Sequence, residues 1–163
     1  MSIKNSLLRT SDKDLLNAAI EQELYASNHY KYAASCLQKQ GYFGCQKFFE
    51  GESADELEHY YKIRDFFNDR GDEADMPSID EVEFKDESIM GIFMTSFKLE
   101  KSLGDFYNKF YMSTSDAAVQ VFLKDLVEIQ TKAIGEYGDL IARLELCANN
   151  PAALLIFDQE LGK

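Results

Sequence analysis

An all-α fold is predicted by three observations. Apolar residues recur at three- and four-residue spacing through four long segments, alternating β-branched runs are lacking, and helix-stop signals separate the segments. The first helix, over residues 11–40, opens at Ser11 with Asp14 three positions on, a capping-box pattern. It carries Leu15, Ala19, Glu23, Ala26, Tyr30, Ala33 and Leu37 on one face until Gly41. The second, over 43–70, lines up Phe49, Glu52, Glu56, His59, Tyr60, Ile63 and Phe66 and stops at Arg70-Gly71. Residues 71–86, with Pro77 and many acids, read as a long connection. The third helix, 87–112, has the stripe Ile89, Phe93, Ser96, Glu100, Leu103, Tyr107 and Phe110. Asp116 is the expected N-cap of the fourth, 116–147, whose stripe is Val119, Phe122, Leu126, Gln130, Ala133, Tyr137, Leu140 and Leu144. Asn149-Asn150-Pro151 ends it, and a short apolar fifth helix fills 151–161.

Each long helix would run about 40 Å at 1.5 Å per residue. The short turns after helices one and three make antiparallel neighbours, whereas the long link is able to span the bundle and makes helices two and three parallel. The expected architecture is one domain, residues 1–163: a four-helix bundle with a long crossover and a fifth helix. Leu154, Leu155, Ile156 and Phe157 on that fifth helix call for a partner surface, so a closed homo-oligomer is expected.

Seventeen basic against 29 acidic residues give a net charge of −12, which repels phosphate backbones and anionic lipid and gathers cations. Nucleic acid and membrane are therefore not expected partners. No secretory h-region and no membrane-length apolar run is present, so a cytoplasmic location is expected. Cys36, Cys45 and Cys147, odd in number and without close spacing, read as reduced, inert thiols.

The informative feature is that Glu23, Glu56, His59 and Glu100 all fall on apolar stripes, where an unpaired carboxylate costs several kcal/mol of desolvation. A divalent cation neutralises such groups where they sit. One Glu from each of two helices and a Glu-x-x-His on a third form most of a di-iron carboxylate set. Helix four offers only Gln130-Thr131-Lys132-Ala133, the same spacing without either ligand. A self-satisfied network of Glu, His and Tyr is the alternative. His29 lies off the Glu23 face and is expected at the surface or an interface.

These residues resemble the ferritins over nearly the whole chain, in particular the non-haem bacterial and heavy-chain type. Glu23-Leu24-Tyr25-Ala26-Ser27 is similar to the family's helix-A ferroxidase motif, and Asp55-Glu56-Leu57-Glu58-His59 to its helix-B run. Leu99-Glu100-Lys101 resembles the helix-C motif, and Gln130 to Asp139 the helix-D Gln-x-Lys-Ala-Ile-x-Glu-x-Gly-Asp stretch. The tail LLIFDQELGK is similar to the fifth helix of bacterial ferritins. The resemblance implies a ferritin-like cage of twenty-four subunits that oxidises Fe(II) with dioxygen or peroxide and stores Fe(III) mineral. It implies Glu23, Glu56, His59 and Glu100 as iron ligands, Gln130 beside the second iron and Tyr30 as the nearby catalytic tyrosine.

Departures from the family pattern shape the expectation. Leu57 stands where bacterioferritin has its haem-ligating Met, so no haem is expected. Ala133 supplies neither the His of a symmetric site nor the Glu used toward a third iron, and Ile129 replaces a frequent Glu. Leu123 and Gln120 occupy the places of the threefold-channel carboxylates, so iron is expected to use another way in. Asp55 and Glu58 either nucleate mineral or are solvated, and Glu52 is a candidate partner behind Glu56. A DNA-shielding miniferritin and a non-enzymatic helical adaptor are the competing readings; the complete set within one chain and the fifth helix argue against the first.

Overall fold

The computed structural model describes residues 5–163, and all regular secondary structure among them is helical: α1 (Thr10–Lys39), α2 (Phe43–Asp69), α3 (Ile89–Ser113), α4 (Ala117–Cys147) and α5 (Pro151–Leu161). The fold is a four-helix bundle with a short C-terminal helix. Three of its helices start at side-chain caps. Ser88 Oγ accepts from Gly91 N at 3.0 Å, Asp116 Oδ1 from Ala118 N at 2.9 Å, and Asn150 Oδ1 from Ala153 N at 3.1 Å. The turns at Gly41 and Gly71 both need positive φ, 90° and 76°, which glycine adopts without Cβ strain.

The start of α1 differs from the Ser11 cap expected from sequence. Arg9 is the N-cap residue, without a side-chain cap, and Ser11 lies inside the first turn. The boundary is set from outside the helix. Leu7 N donates to Arg70 O at 2.9 Å, Leu8 is buried, and the Arg9 guanidinium donates to Ser115 on the turn before α4.

Contacts between helices give their directions. His29 and Tyr30 of α1 meet Ser96 and Glu100 of α3, whereas Glu23, earlier on α1, meets Tyr107, later on α3, so the residue numbers run in opposite senses. The two helices are antiparallel. Glu52 of α2 meets Tyr137 of α4, and Arg70 just after α2 meets Asp116 just before α4, an antiparallel pair as well. The connection from α2 to α3 runs along α1: Asp75 N donates to Asn17 Oδ1, Tyr32 OH to Glu87, and Gln40 Nε2 to Glu87 O. It therefore crosses the length of the bundle and makes α2 and α3 parallel.

That crossover corrects the expectation for His29. Phe84 packs edge-on at 4.9 Å over the imidazole, which is 2% exposed and meets Ser96 Oγ at 2.9 Å. His29 is a core residue because the crossover covers its face of α1.

Above the polar middle of the bundle, Tyr30 stacks on Tyr137 with centroids 6.3 Å apart, and Phe49 and Phe93 fill in beside them. Phe157 of α5 joins this slab edge-on to Phe93 at 5.7 Å. The fifth helix thus finds half of its partner surface in its own chain, since Leu154 and Phe157 are buried while Leu155 and Ile156 are exposed. Asp158 anchors it by accepting from Gly44 N at 3.1 Å and Cys45 N at 2.7 Å, which also caps the start of α2. Cys36 and Cys45 are buried and Cys147 half-buried, all as free thiols. Burial pushes the Cys45 thiol well up, in keeping with an inert role.

Asp158→Ala removes both anchoring bonds and should cost about 1 to 2 kcal/mol, read as a lower thermal midpoint with faster proteolysis after residue 147. A second outcome concerns acid. Burial lowers His29 from 6.5 to about 4, so between these values the unfolded state binds more protons. Its contribution is full above pH 6.5 and is lost as pH falls toward 4. At about pH 5 the loss relative to pH 7 is about 2 kcal/mol. His29→Gln should remove that part of the acid sensitivity, as checked by midpoints at both pH values.

Candidate metal centre

The middle of the bundle collects charge that a core of this composition would otherwise exclude. Glu23 lies at mid-α1 with Ala19, Ala26 and Tyr30 on the same buried face. Glu56 and His59, three residues apart on α2, share one face of their helix. All three are buried, at 0%, 4% and 8% exposure, and one ligand atom from each lies within 4.8 Å of the others. His59 Nδ1 is 2.9 Å from Glu56 Oε2 and 3.4 Å from Glu23 Oε2.

Glu100, the third acid singled out from sequence, is also buried, but it faces other partners. Its Oε1 accepts from the Tyr30 hydroxyl and its Oε2 from Gln130 Nε2 at 2.7 Å. Tyr30, the expected catalytic tyrosine, and Gln130, expected beside the second iron, therefore meet on Glu100, which lies outside the trio. Ala133 is half-buried beside them and brings no donor.

Two further tyrosines belong to the same network. Tyr107 OH donates to Glu23 Oε1, and Tyr137 OH donates to Glu52 Oε2 at 3.0 Å. Tyr107 lies seven residues after Glu100 and Tyr137 seven after Gln130, the same offset as Tyr30 from Glu23. That repeated offset was the available signal for both. Each phenol is pushed well above its usual range, first by burial, with Tyr137 and then the carboxylates adding to it for Tyr30 and the carboxylates for the other two, so all three stay neutral donors.

Three buried acids within one network, with half-buried Glu52 beside them, force unequal protonation. Burial, then the facing Glu23, drives Glu56 well up. Burial also opposes ionisation of Glu23, but hydrogen bonds from Glu56 and His59 outweigh it and hold Glu23 low. The metal-free pair thus keeps one proton on Glu56, donated toward ionised Glu23. Burial likewise raises Glu100, against the bonds from Tyr30 and Gln130. Two carboxylates that share a proton, with an imidazole beside them, are a donor set suited to a divalent cation of intermediate hardness, which replaces that proton.

A cleft of about 340 Å³ between α2 and α4 opens onto Glu56, His59, Glu100 and Gln130. Glu52, Asp55, Glu58 and Glu136 line it against Lys62 and Lys132. Asp55 and Glu58 are exposed, and Glu52 is pushed up to about 7, mainly by burial. Leu123 is buried in the core and Gln120 donates to Thr114 O, so neither resembles a channel lining. Among the described residues, no helix is long and apolar enough to cross a membrane.

The sequence profile of the ferritin-like domain family matches residues 13–147. A probable bacterial non-heme ferritin-like protein of Haemophilus influenzae is 25% identical, over 91% of this chain and 92% of its own. A bacterial non-heme ferritin of Staphylococcus epidermidis is 27% identical, over 90% of each. Among solved structures, an open pore ferritin from the archaeon Archaeoglobus fulgidus superposes with a TM-score of 0.91 at 24% identity, covering 95% of this chain and 98% of that one.

The shared proton gives a measurable signature. Glu56 is held above its unfolded value of 4.5, so the folded state binds more protons and this residue subtracts stability as pH rises. Glu56→Gln keeps a donor toward Glu23 without the charge and should stabilise the metal-free protein by about 1 to 3 kcal/mol. Zn(II) should raise the wild-type thermal midpoint and leave that of Glu56→Gln unmoved.

Proposed function

The chain belongs to the ferritin-like domain family, and from that premise we propose that it is an iron-storage ferritin, acting in the cytoplasm as a ferroxidase. Its substrates are Fe(II) and dioxygen or peroxide, and its product is Fe(III) passed to a mineral inside a homo-oligomeric cage of twenty-four copies. Residues 1–163 form its single domain, and no haem takes part.

The observation that carries this reading is the buried trio Glu23, Glu56 and His59, of which Glu56 and His59 line an acidic cleft. Its members come from two helices of one chain, which favours a centre inside each subunit over one shared between subunits. The rim of Glu52, Asp55, Glu58 and Glu136 concentrates cations and offers the way in that Leu123 and Gln120 do not. An arriving Fe(II) displaces the proton from Glu56 and takes donors from Glu23, Glu56 and His59. A second Fe(II) has only Glu56 and Glu100. To bind it, Glu100 gives up its bonds to Tyr30 and Gln130, and that loss weakens the second position. Tyr30 then stands beside the pair as a buried neutral phenol, and Gln130 keeps an amide donor aimed at the second position.

Carboxylate-rich ligation stabilises Fe(III) over Fe(II), so the arrangement favours electron loss to the oxidant. The weakly held second position favours release of the product. Each iron leaves as cargo.

Glu56→Ala and His59→Ala each strip the better position of a ligand and should slow the initial Fe(II) oxidation by at least about tenfold, the lower end for a damaged metal site. The check is stopped-flow absorbance after mixing with Fe(II) in air, on protein whose helicity and elution volume match the parent. A wild-type initial rate in Glu56→Ala would overturn the assignment.

A further inference from the structure

Tyr107 is wholly buried on α3 and donates its hydroxyl to Glu23 Oε1. The other oxygen of that carboxylate, Oε2, faces His59 Nδ1 at 3.4 Å. The two oxygens are therefore unlike. We propose that Tyr107 is a positioning residue that caps one oxygen of Glu23 and so makes Glu23 a one-oxygen metal ligand, aimed at the imidazole. This rests on the reading of the trio as the iron position.

The surrounding acids set off its role. Glu100 has both oxygens engaged, by Tyr30 and Gln130, whereas Glu56 accepts from no phenol and has only the other two members of the trio, His59 and Glu23, beside it. Among the three, Glu56 is free to use both oxygens and Glu23 is not. With Glu23 limited to one, the better position has one ligand fewer and keeps room for water or oxidant, as catalytic metal sites require. The ring of Tyr107 is itself wedged edge-on against Phe106 at 5.5 Å, so the phenol cannot swing away without unpacking the core.

Co(II) is a suitable probe, because its visible absorption weakens as the coordination number rises. Metal-free wild type, Tyr107→Phe and Glu23→Ala are titrated with Co(II) alone. Glu23→Ala should lose at least about tenfold in affinity. If it binds as wild type, the trio is not the metal position, and the functional reading falls with this one. Given that loss, Tyr107→Phe should still bind Co(II), with its visible absorption reduced by about half as Glu23 takes up two-oxygen ligation. An unchanged spectrum would overturn the positioning role while leaving the site intact. Infrared difference spectra of Zn(II)-loaded against metal-free wild type, with the Glu23→Ala difference subtracted, provide a reading that needs no Tyr107 variant. A wide separation of the Glu23 carboxylate stretches is the expected one-oxygen result, and a narrow one contradicts it.

Discussion

Carboxylates without water must find hydrogen-bond donors or a cation, and the arrangement of this bundle follows from how that demand is met. Glu23 of α1 takes a phenol from α3, and Glu100 of α3 takes a phenol from α1. Because each helix carries its acid and its tyrosine seven residues apart, about 10 Å along the axis, two antiparallel helices satisfy each other reciprocally. Glu52 of α2 receives Tyr137 of α4 in the same manner. These bonds carry the charge burial that an apolar core would refuse, and the aromatic slab of Tyr30, Tyr137, Phe49 and Phe93 packs onto the phenol rings.

Glu56 stands outside that scheme. It has no phenol, its close partners are Glu23 and an imidazole three residues away, and it opens onto the cleft. In the metal-free protein it stores a proton, and a cation is the natural replacement. The asymmetry between the trio and the Glu100–Gln130 pair follows from α4, where Gln130 and Ala133 bring an amide and a methyl to the places where two ligands would complete a symmetric centre. In the proposed cycle this makes one position a receiving post and the other a point of departure.

Most of the fold was legible because its signals are local. Stripes at helical spacing, Asp116 as a cap, glycine at two helix ends and proline opening α5 act within a few residues of one another. The four acidic and imidazole groups were legible because each breaks an apolar stripe. Tyr107 and Tyr137 were less so: their seven-residue offset marks the shared face, but a tyrosine on such a stripe reads as packing, and nothing along one helix says which acid on another its hydroxyl will reach. His29 was misjudged for a related reason: helical periodicity sees the faces of a bundle but not the crossover that lays Phe84 over one of them. Ser11 failed as a cap because Leu7 and Arg9 are tied to Arg70 and Ser115, far along the chain.

The reciprocal pairing of α1 and α3 also acts as a ruler. Contacts at 29 with 96, 30 with 100 and 23 with 107 lock two helices over about three turns. An inserted or deleted residue between Ser96 and Tyr107 would turn everything beyond it by about 100° and leave a phenol or a carboxylate stranded in the core. The chain can therefore change length in residues 70–88, where backbone runs outside any helix, far more readily than in the helices on either side.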